Sequence, residues 1–235
     1  MPAAWDDPRI ARGMKEQLAN RRARIEAGEE PLGWKVGFGA PAAMERFKIT
    51  TPLVGHLMKR GLIASGGCAS LKGWVKPVAE PEIAIHIGHD VAGGGDRVAA
   101  AAAIAALSPA IELADADIPF EDLEAILKRN IFQRHVILGE PDPSRAGGNT
   151  TGLTVRLFRR DAEAARTSEP EAATGKLVDI VRHVADLLSA FGARLSGGDI
   201  IIAGSVVPPV FVEADETTVT YALDPIGTVS VAFTR

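Results

Sequence analysis

The chain has 235 residues and a formal net charge of −4, from 26 Lys and Arg against 30 Asp and Glu. At this length, and with 46% hydrophobic and 24% charged residues, it buries a sizeable core without disulfide or metal staples, and wholesale disorder is excluded. The mild acidity removes the basic footprint of a nucleic-acid binder, and 5% aromatics with a single Tyr221 exclude a stacking platform for single strands.

Pro8 to Gly28 reads as a helix, with Ile10, Met14, Leu18 and Ile25 at helical spacing and Gly28 as its stop. From Trp34 the pattern changes to short segments punctuated by Gly and Pro. Trp34 to Phe38 is strand-like, and Pro41 to Phe47 is a short helix. Ile83 to Ile87 is a β-branched strand, and Asp90 to Asp96 a glycine-rich turn. An alanine-rich helix is expected over Arg97 to Leu107, a strand over Ala110 to Ala114, a helix over Phe120 to Arg129 and an extended piece over Val136 to Leu138. Asp142 to Gly152 is loop, Leu153 to Phe158 a strand, and the polar stretch Arg159 to Thr174 an exposed excursion. Leu177 to Phe191 is the clearest amphipathic helix. Three strands close the chain, over Asp199 to Ala203, Glu216 to Ala222 and Gly227 to Phe233. Strands predominate and βαβ alternation is not sustained, which predicts a mixed α+β fold. The expected organisation is one domain overall, a helical segment over 1–32 leading into a β-rich body over 33–235.

Several functional classes fail on motif spacing. Gly93-Gly94-Gly95 lacks the spacing of a dinucleotide fingerprint, and Gly175-Lys176 is followed by Leu177 rather than the Ser or Thr of a phosphate-binding loop. Gly204-Ser205-Val206 lacks the second glycine of a nucleophile elbow. A lone Cys68 allows neither an intrachain disulfide nor a thiolate metal cluster, and its Gly66-Gly67-Cys68-Ala69 setting reads as a small residue in a turn. The most apolar run, Val98 to Ile111, is interrupted by Ser108 and Pro109 and falls short of the ~20 residues of a spanning helix. The N-terminus is charged, without the apolar stretch of a signal peptide, so the expected location is cytoplasmic, with no membrane and no nucleic-acid partner.

The carboxylates are more informative. In Pro77-Val78-Ala79-Glu80-Pro81-Glu82-Ile83, residues two apart on a strand project to the same face, so Glu80 and Glu82 point together. Glu112 sits among the apolar neighbours Ala110, Ile111, Leu113 and Ala114, where a lone charge is costly unless paired or metal-bound. Two readings stay open on pattern alone. Three carboxylates on two strands suit a hard divalent cation. Alternatively, Glu80 and Glu82 flank an exposed edge marked by Pro81, and Glu112 pairs with an arginine.

Taken together, Gly33 to Phe38, Pro77 to Gly88, Ala110 to Asp115, Asn130 to Gly139, Gly197 to Ser205 with Pro208-Pro209-Val210, and Gly227 to Phe233 form a recognisable set. In that order the chain resembles the fumarylacetoacetate hydrolase superfamily, in its 2-keto-4-pentenoate hydratase/4-oxalocrotonate decarboxylase branch. The resemblance runs from about residue 10 to the C-terminus. It implies a mixed, twisted β-roll core with helices around it, and Mg²⁺ or Mn²⁺ held by Glu80, Glu82 and Glu112. It implies a lyase of aromatic catabolism, hydratase or decarboxylase, acting through a metal-bound enolate on a short unsaturated 2-oxo acid whose tautomer is a 2-hydroxydienoic acid. Lys35 matches the family's active-site lysine, with a role in stabilising carboxylate or enolate charge or relaying a proton. Ser205 is expected to bond the substrate carboxylate, His56 to face the pocket as a further catalytic candidate, and Leu53, Gly204 and Asn130 to contact substrate. Relatives of this kind form oligomers, so a homo-oligomer is expected.

The sequence also departs from the family pattern. Leu53 stands where hydratases carry an Asp, which shifts weight toward decarboxylation because an aliphatic chain cannot activate water. Arg129-Asn130-Ile131-Phe132 is bulkier than the family's equivalent, Asp117 replaces an Arg, and His135 occupies a usually apolar position. His86 shares strand parity with Glu80 and Glu82, whereas His89, His135 and His183 are expected to be non-catalytic. A carbon–carbon hydrolase or tautomerase on the same scaffold, and a non-catalytic relative, remain the alternatives.

Overall fold

The computed structural model describes residues 4–235. Helix α1 (Pro8–Glu26) starts where the sequence places it: Pro8 occupies the first turn, and Asp7 caps it by accepting from the Arg9 N–H at 2.8 Å. Its stripe of Ile10, Met14 and Leu18 is buried in the main core. Strand β1 (Pro31–Gly37), helix α2 (Pro41–Phe47) and strands β2 (Leu53–Met58), β3 (Leu62–Ile63) and β4 (Cys68–Ser70) follow. The two longest strands, β5 (Pro77–Ile87) and β6 (Ile104–Asp115), flank helix α3 (Arg97–Ala103). Helix α4 (Leu123–Lys128), strand β7 (Gln133–Leu138) and the hairpin of β8 (Thr154–Arg159) with β9 (Ala162–Thr167) lead to helix α5 (Leu177–Ala190). Strands β10 (Ile200–Ser205), β11 (Val210–Phe211), β12 (Thr218–Asp224) and β13 (Gly227–Thr234) complete the chain.

The strands form two sheets. One is a curled, eight-stranded mixed sheet ordered β2-β1-β10-β5-β6-β7-β3, with β11 added alongside β5; the other runs β4-β13-β12-β8-β9. Strands β12 and β13 pack against β6, and the main apolar core lies between the sheets and under the helices. Helix α5 buries Leu177, Ile180, Val181, Val184, Leu187 and Leu188, the amphipathic stripe read from its sequence. The α+β expectation and the β-roll architecture both hold.

Three local expectations are corrected, and one strand, β2, was not foreseen. The alanine-rich helix ends at Ala103 rather than Leu107, because Ile104 onward pairs with β5 across the sheet and tertiary pairing overrides alanine's helix preference. Strand β2 is buried at every position, so it shows none of the alternation that marks a half-buried strand. The supposed excursion after Arg159 is a tight hairpin whose central Arg160 and Asp161 both adopt left-handed backbone (φ 49° and 61°) without the usual glycine or asparagine signal. Cys68 lies on β4, beside β13, rather than in a turn.

Gly13 lets α1 approach α4 closely: a Cβ there would sit 2.6 Å from Leu127 Cβ. Gly13→Ala gains about 1 kcal/mol of helix propensity, but overpacking of this kind costs about 1–3 kcal/mol. The expected outcome is a net loss of about 1 kcal/mol, read as a lower urea midpoint at unchanged slope; a raised midpoint would contradict the close contact.

Candidate functional site

Strand register assembles the site. Glu80 pairs with Glu112 across β5 and β6, Glu82 pairs with Ala110, and Ile202 on β10 pairs with both Ala84 and Lys35. Side-chain parity then places Lys35, Glu80, Glu82 and Glu112 on one face of the curled sheet. Lys35, Glu82 and Glu112 are each 1% exposed, while Glu80 is partly buried and faces a cavity. One oxygen from each carboxylate lies within 4.8 Å of the others. The Lys35 ammonium donates to Glu112 Oε1 and to the Ile131 carbonyl, the latter at 3.1 Å. Strand β5 is central in its sheet, so the exposed-edge reading of Glu80 and Glu82 fails, and the partner of Glu112 is a lysine rather than an arginine. Pro81 is tolerated there because its carbonyl accepts from Val206 N at 2.9 Å on the side where β10 breaks register, between Ile202 and Ser205.

Backbone geometry holds these groups in place. Gly204, at φ +94°, donates its N–H to Glu82 Oε2 at 2.6 Å. Asn130, Ile131 and Phe132 are three consecutive left-handed residues (φ 53°, 51° and 65°), a costly arrangement that needs support. Asn130 supplies it: its Oδ1 accepts from His56 N at 2.7 Å, and its Nδ2 donates to His56 O at 2.8 Å. That clamp aims the Ile131 carbonyl at Lys35. Gly55 makes room beside it, since a Cβ there would lie 2.8 Å from Lys35 Cγ and 2.9 Å from Asn130 Oδ1.

The electrostatics are unbalanced. Three carboxylates face one ammonium, a formal sum of −2 in a mostly buried setting. Burial, and then the Glu112 charge, push the Glu80 carboxyl up to about 7 against the opposing pull of Lys35. Burial and both neighbouring carboxylates push Glu82 well above the usual carboxylate range. Glu112 Oε2 has no hydrogen-bond partner. An uncompensated buried carboxylate oxygen, an all-oxygen donor set and a charge of −2 together fit a hard divalent cation such as Mg²⁺ or Mn²⁺.

Beside and beneath the carboxylates, Leu57, Ala84, Ala110, Val136 and Ile202 form a separate apolar cluster, each 0% exposed, that floors the site. Beyond this floor His86 meets Ser108 Oγ through Nε2 at 2.8 Å, away from the cavity. On the open side lies a cavity of about 830 Å³, with Lys35, Glu80, Gly204 and Ser205 in its wall. Ser205 Oγ is buried there without a partner, free to bond a ligand.

Other sequence candidates fall elsewhere. His56 pairs with Trp34, so its ring points to the opposite face from Lys35, among Arg21, Arg24 and Glu29; the expectation that it faces the pocket is corrected. Leu53 is 1% exposed within the main core and does not line the cavity, so its side chain does not meet substrate there. Asn130 positions backbone rather than lining the cavity. Asp117 is satisfied by Arg129 and Arg134, His135 stacks on Trp74, and His183 Nε2 donates to Pro52 O at 2.9 Å. Sequence reading missed two contributors: the Ile131 carbonyl, which no side-chain pattern announces, and Gly55, whose signal was a lone glycine inside an apolar strand.

Comparison with known proteins finds relatives of sequence and fold. No protein-family model matches the chain. It is 26% identical over 190 residues to a 4-oxalocrotonate decarboxylase from a Pseudomonas species, covering 80% of this chain and 73% of that protein. It is 25% identical over 225 residues to a 2-keto-4-pentenoate hydratase from Burkholderia vietnamiensis, covering 93% and 84%. Among solved structures, 4-oxalocrotonate decarboxylase from Pseudomonas putida G7, complexed with magnesium and adipate, superposes with a TM-score of 0.84 at 23% identity, over 93% of this chain and 83% of that one. Fumarylpyruvate hydrolase from Pseudomonas aeruginosa, in complex with Mn²⁺ and pyruvate, gives 0.69 at 14% identity, over 87% and 89%. The solved neighbours share the fumarylacetoacetate hydrolase type of fold. The chain is thus similar in sequence to 2-keto-4-pentenoate hydratases and 4-oxalocrotonate decarboxylases and shares the fold of the solved neighbours.

Two predictions test this geometry. Gly55→Ala costs about 2 kcal/mol by crowding Lys35 and Asn130, and a double-mutant cycle with Asn130→Ala shows a smaller cost in the second background; strict additivity would mean the two do not touch. Burial, with Arg24 and Arg21 nearby, holds the His56 imidazole down at about 3. Its neutral form therefore supports the fold fully above pH 6.5, and that support is lost as pH falls from 6.5 toward 3. Between pH 7.5 and 4.5 the wild type should lose about 3 kcal/mol more unfolding free energy than His56→Leu; equal losses would place the titration elsewhere.

Proposed function

We propose that this chain is a divalent-metal-dependent lyase of the hydratase or decarboxylase type, acting on an unsaturated 2-oxo acid whose tautomer is a 2-hydroxydienoic acid. The observation that supports it most is the convergence of Glu80, Glu82 and Glu112 beside Lys35 at the wall of an apolar cavity. A divalent cation held by the three carboxylates would supply Lewis-acid stabilisation of the charge that develops on a 2-oxo oxygen. The protein's own groups account for the rest. The Lys35 ammonium, fixed by Glu112 and the Ile131 carbonyl, offers fixed positive charge, preorganised at no cost during reaction. The unpartnered Ser205 hydroxyl donates to a substrate carboxylate. The apolar floor keeps water away beneath the reacting end, and a dry surround strengthens each of these interactions. Glu80 and Lys35 are the groups on the cavity wall that can hold or pass a proton there.

Hydrolytic carbon–carbon cleavage through a Glu–His pair is less favoured, because none of the histidines lines the cavity. The reading extends to a cytoplasmic homo-oligomer. The unpaired outer side of β9, and the exposed apolar side chains Val75 (72%) and Phe211 (48%), support association. No helix among the described residues is long and apolar enough to cross a membrane.

Thermal unfolding with Mg²⁺ or Mn²⁺, each with and without oxalate, tests the proposal. A ligand at a hundred times its dissociation constant adds about 2.7 kcal/mol of stability, so a metal-dependent oxalate shift of several degrees is expected, lost in Glu112→Gln. Product analysis then separates addition of water from release of CO₂. A folded protein that shows no shift with either metal would sink the proposal in favour of a non-catalytic relative.

A further inference from the structure

The cavity is larger than the reacting end of a 2-oxo acid requires. A six-carbon dienoic acid has about nine heavy atoms; at the ~30 Å³ that a water molecule occupies in the liquid, it fills roughly 270 Å³. The cavity measures about 830 Å³, within the about 300–1,000 Å³ of pockets that enclose drug-sized ligands. The groups with evident chemistry, Lys35, Glu80 and Ser205, take up a small part of its wall. Most of the remainder is apolar, with Val78, Phe120, Phe132, Val206, Val207 and Phe211 prominent.

The cations of the wall itself, Lys35 and Arg166, are already paired with carboxylates. Arg166 lines the cavity, but its guanidinium is held by both oxygens of Glu163, at 2.8 and 3.0 Å. Lys76 Nζ lies over the faces of Phe211 and Phe120, 4.6 and 5.5 Å from their centroids, and the Arg46 guanidinium lies 5.8 Å from that of Phe120. Lys35 is committed to Glu112. No unengaged cation among the described residues of the wall is left to pair with a second carboxylate, whereas there is ample apolar surface to take hydrocarbon from water.

We propose that the substrate is an unsaturated 2-oxo acid carrying a bulky apolar group, aryl or branched alkyl, at the end remote from its 2-oxo carboxylate. The inference rests on the proposed function for the placement of that carboxylate, and it goes further by assigning the remaining cavity to a tail.

Isothermal titration of the Mn²⁺-loaded full chain with three acids tests it. Pyruvate has no tail, 2-oxo-4-phenylbutanoate has an aryl tail, and 2-oxoadipate has an anionic one. The phenyl compound is expected to bind about tenfold or more tightly than pyruvate, and 2-oxoadipate no better than pyruvate. Phe211→Ala, at a half-exposed position, narrows the phenyl-to-pyruvate ratio about threefold. Equal affinities for pyruvate and the phenyl compound overturn the apolar tail while leaving the proposed function standing. Tightest binding of 2-oxoadipate overturns it in favour of a dicarboxylic substrate. A folded, Mn²⁺-loaded protein that binds none of the three overturns the proposed function, and the tail assignment with it.

Discussion

Three carboxylates are held on one face of a curled sheet with a single lysine among them, and the surrounding structure accommodates that imbalance. Burying Glu82 and Glu112 is costly unless each oxygen finds a donor or a cation. The chain provides donors sparingly: Lys35 to Glu112, and the Gly204 N–H to Glu82. One Glu112 oxygen is left with neither. The groups are set in a closely paired frame, in which β5 and β6 pair along their length over a fully buried apolar cluster. A dication would supply the positive charge that the protein's own donors leave short, and burial beside one another raises the Glu80 and Glu82 carboxyls while none is there.

The support reaches across the sheet. The Asn130 amide grips the backbone of His56, whose ring lies on the far face among arginines from α1. Gln17 of the same helix donates to the carbonyls of Val54 and Leu127, at 3.2 and 3.0 Å, tying α1 to β2 and α4. The helix that begins the described chain is thus joined, through β2 and the strained turn, to the lysine of the site. Placement of Lys35 depends on packing that lies outside the cavity altogether.

Much of this was legible from the residues. Amphipathic stripes in α1 and α5 announced themselves by period, and Glu80 and Glu82 by strand parity. Glu112 stood out because a charge inside an apolar strand demands an explanation. What stayed hidden had no side-chain signal. Strand β2 is buried throughout and so does not alternate, the β8–β9 hairpin turns on Arg160 and Asp161 without glycine, and the helix of alanines stops where β5 offers a partner. His56 was misjudged for a related reason: which face a strand residue takes depends on register, and register was fixed by the pairing of Trp34 with His56. Leu53 was read as part of the substrate's surroundings, whereas burial in the main core removes it from the cavity.

The two bonds that orient the reactive groups, from Gly204 N–H to Glu82 and from Lys35 to the Ile131 carbonyl, both use the main chain. Ile131, Phe132 and Ser205, which sit on those same stretches, also line the cavity. Main chain and side chain therefore divide the labour along these two stretches. A mutation at 131 or 132 changes the shape offered to the remote part of a ligand and leaves the acceptor of the lysine proton in place. Such a scaffold can drift from one substrate to another by successive wall substitutions without rebuilding its reactive end, which gives a lineage built on it an easy route to new specificities.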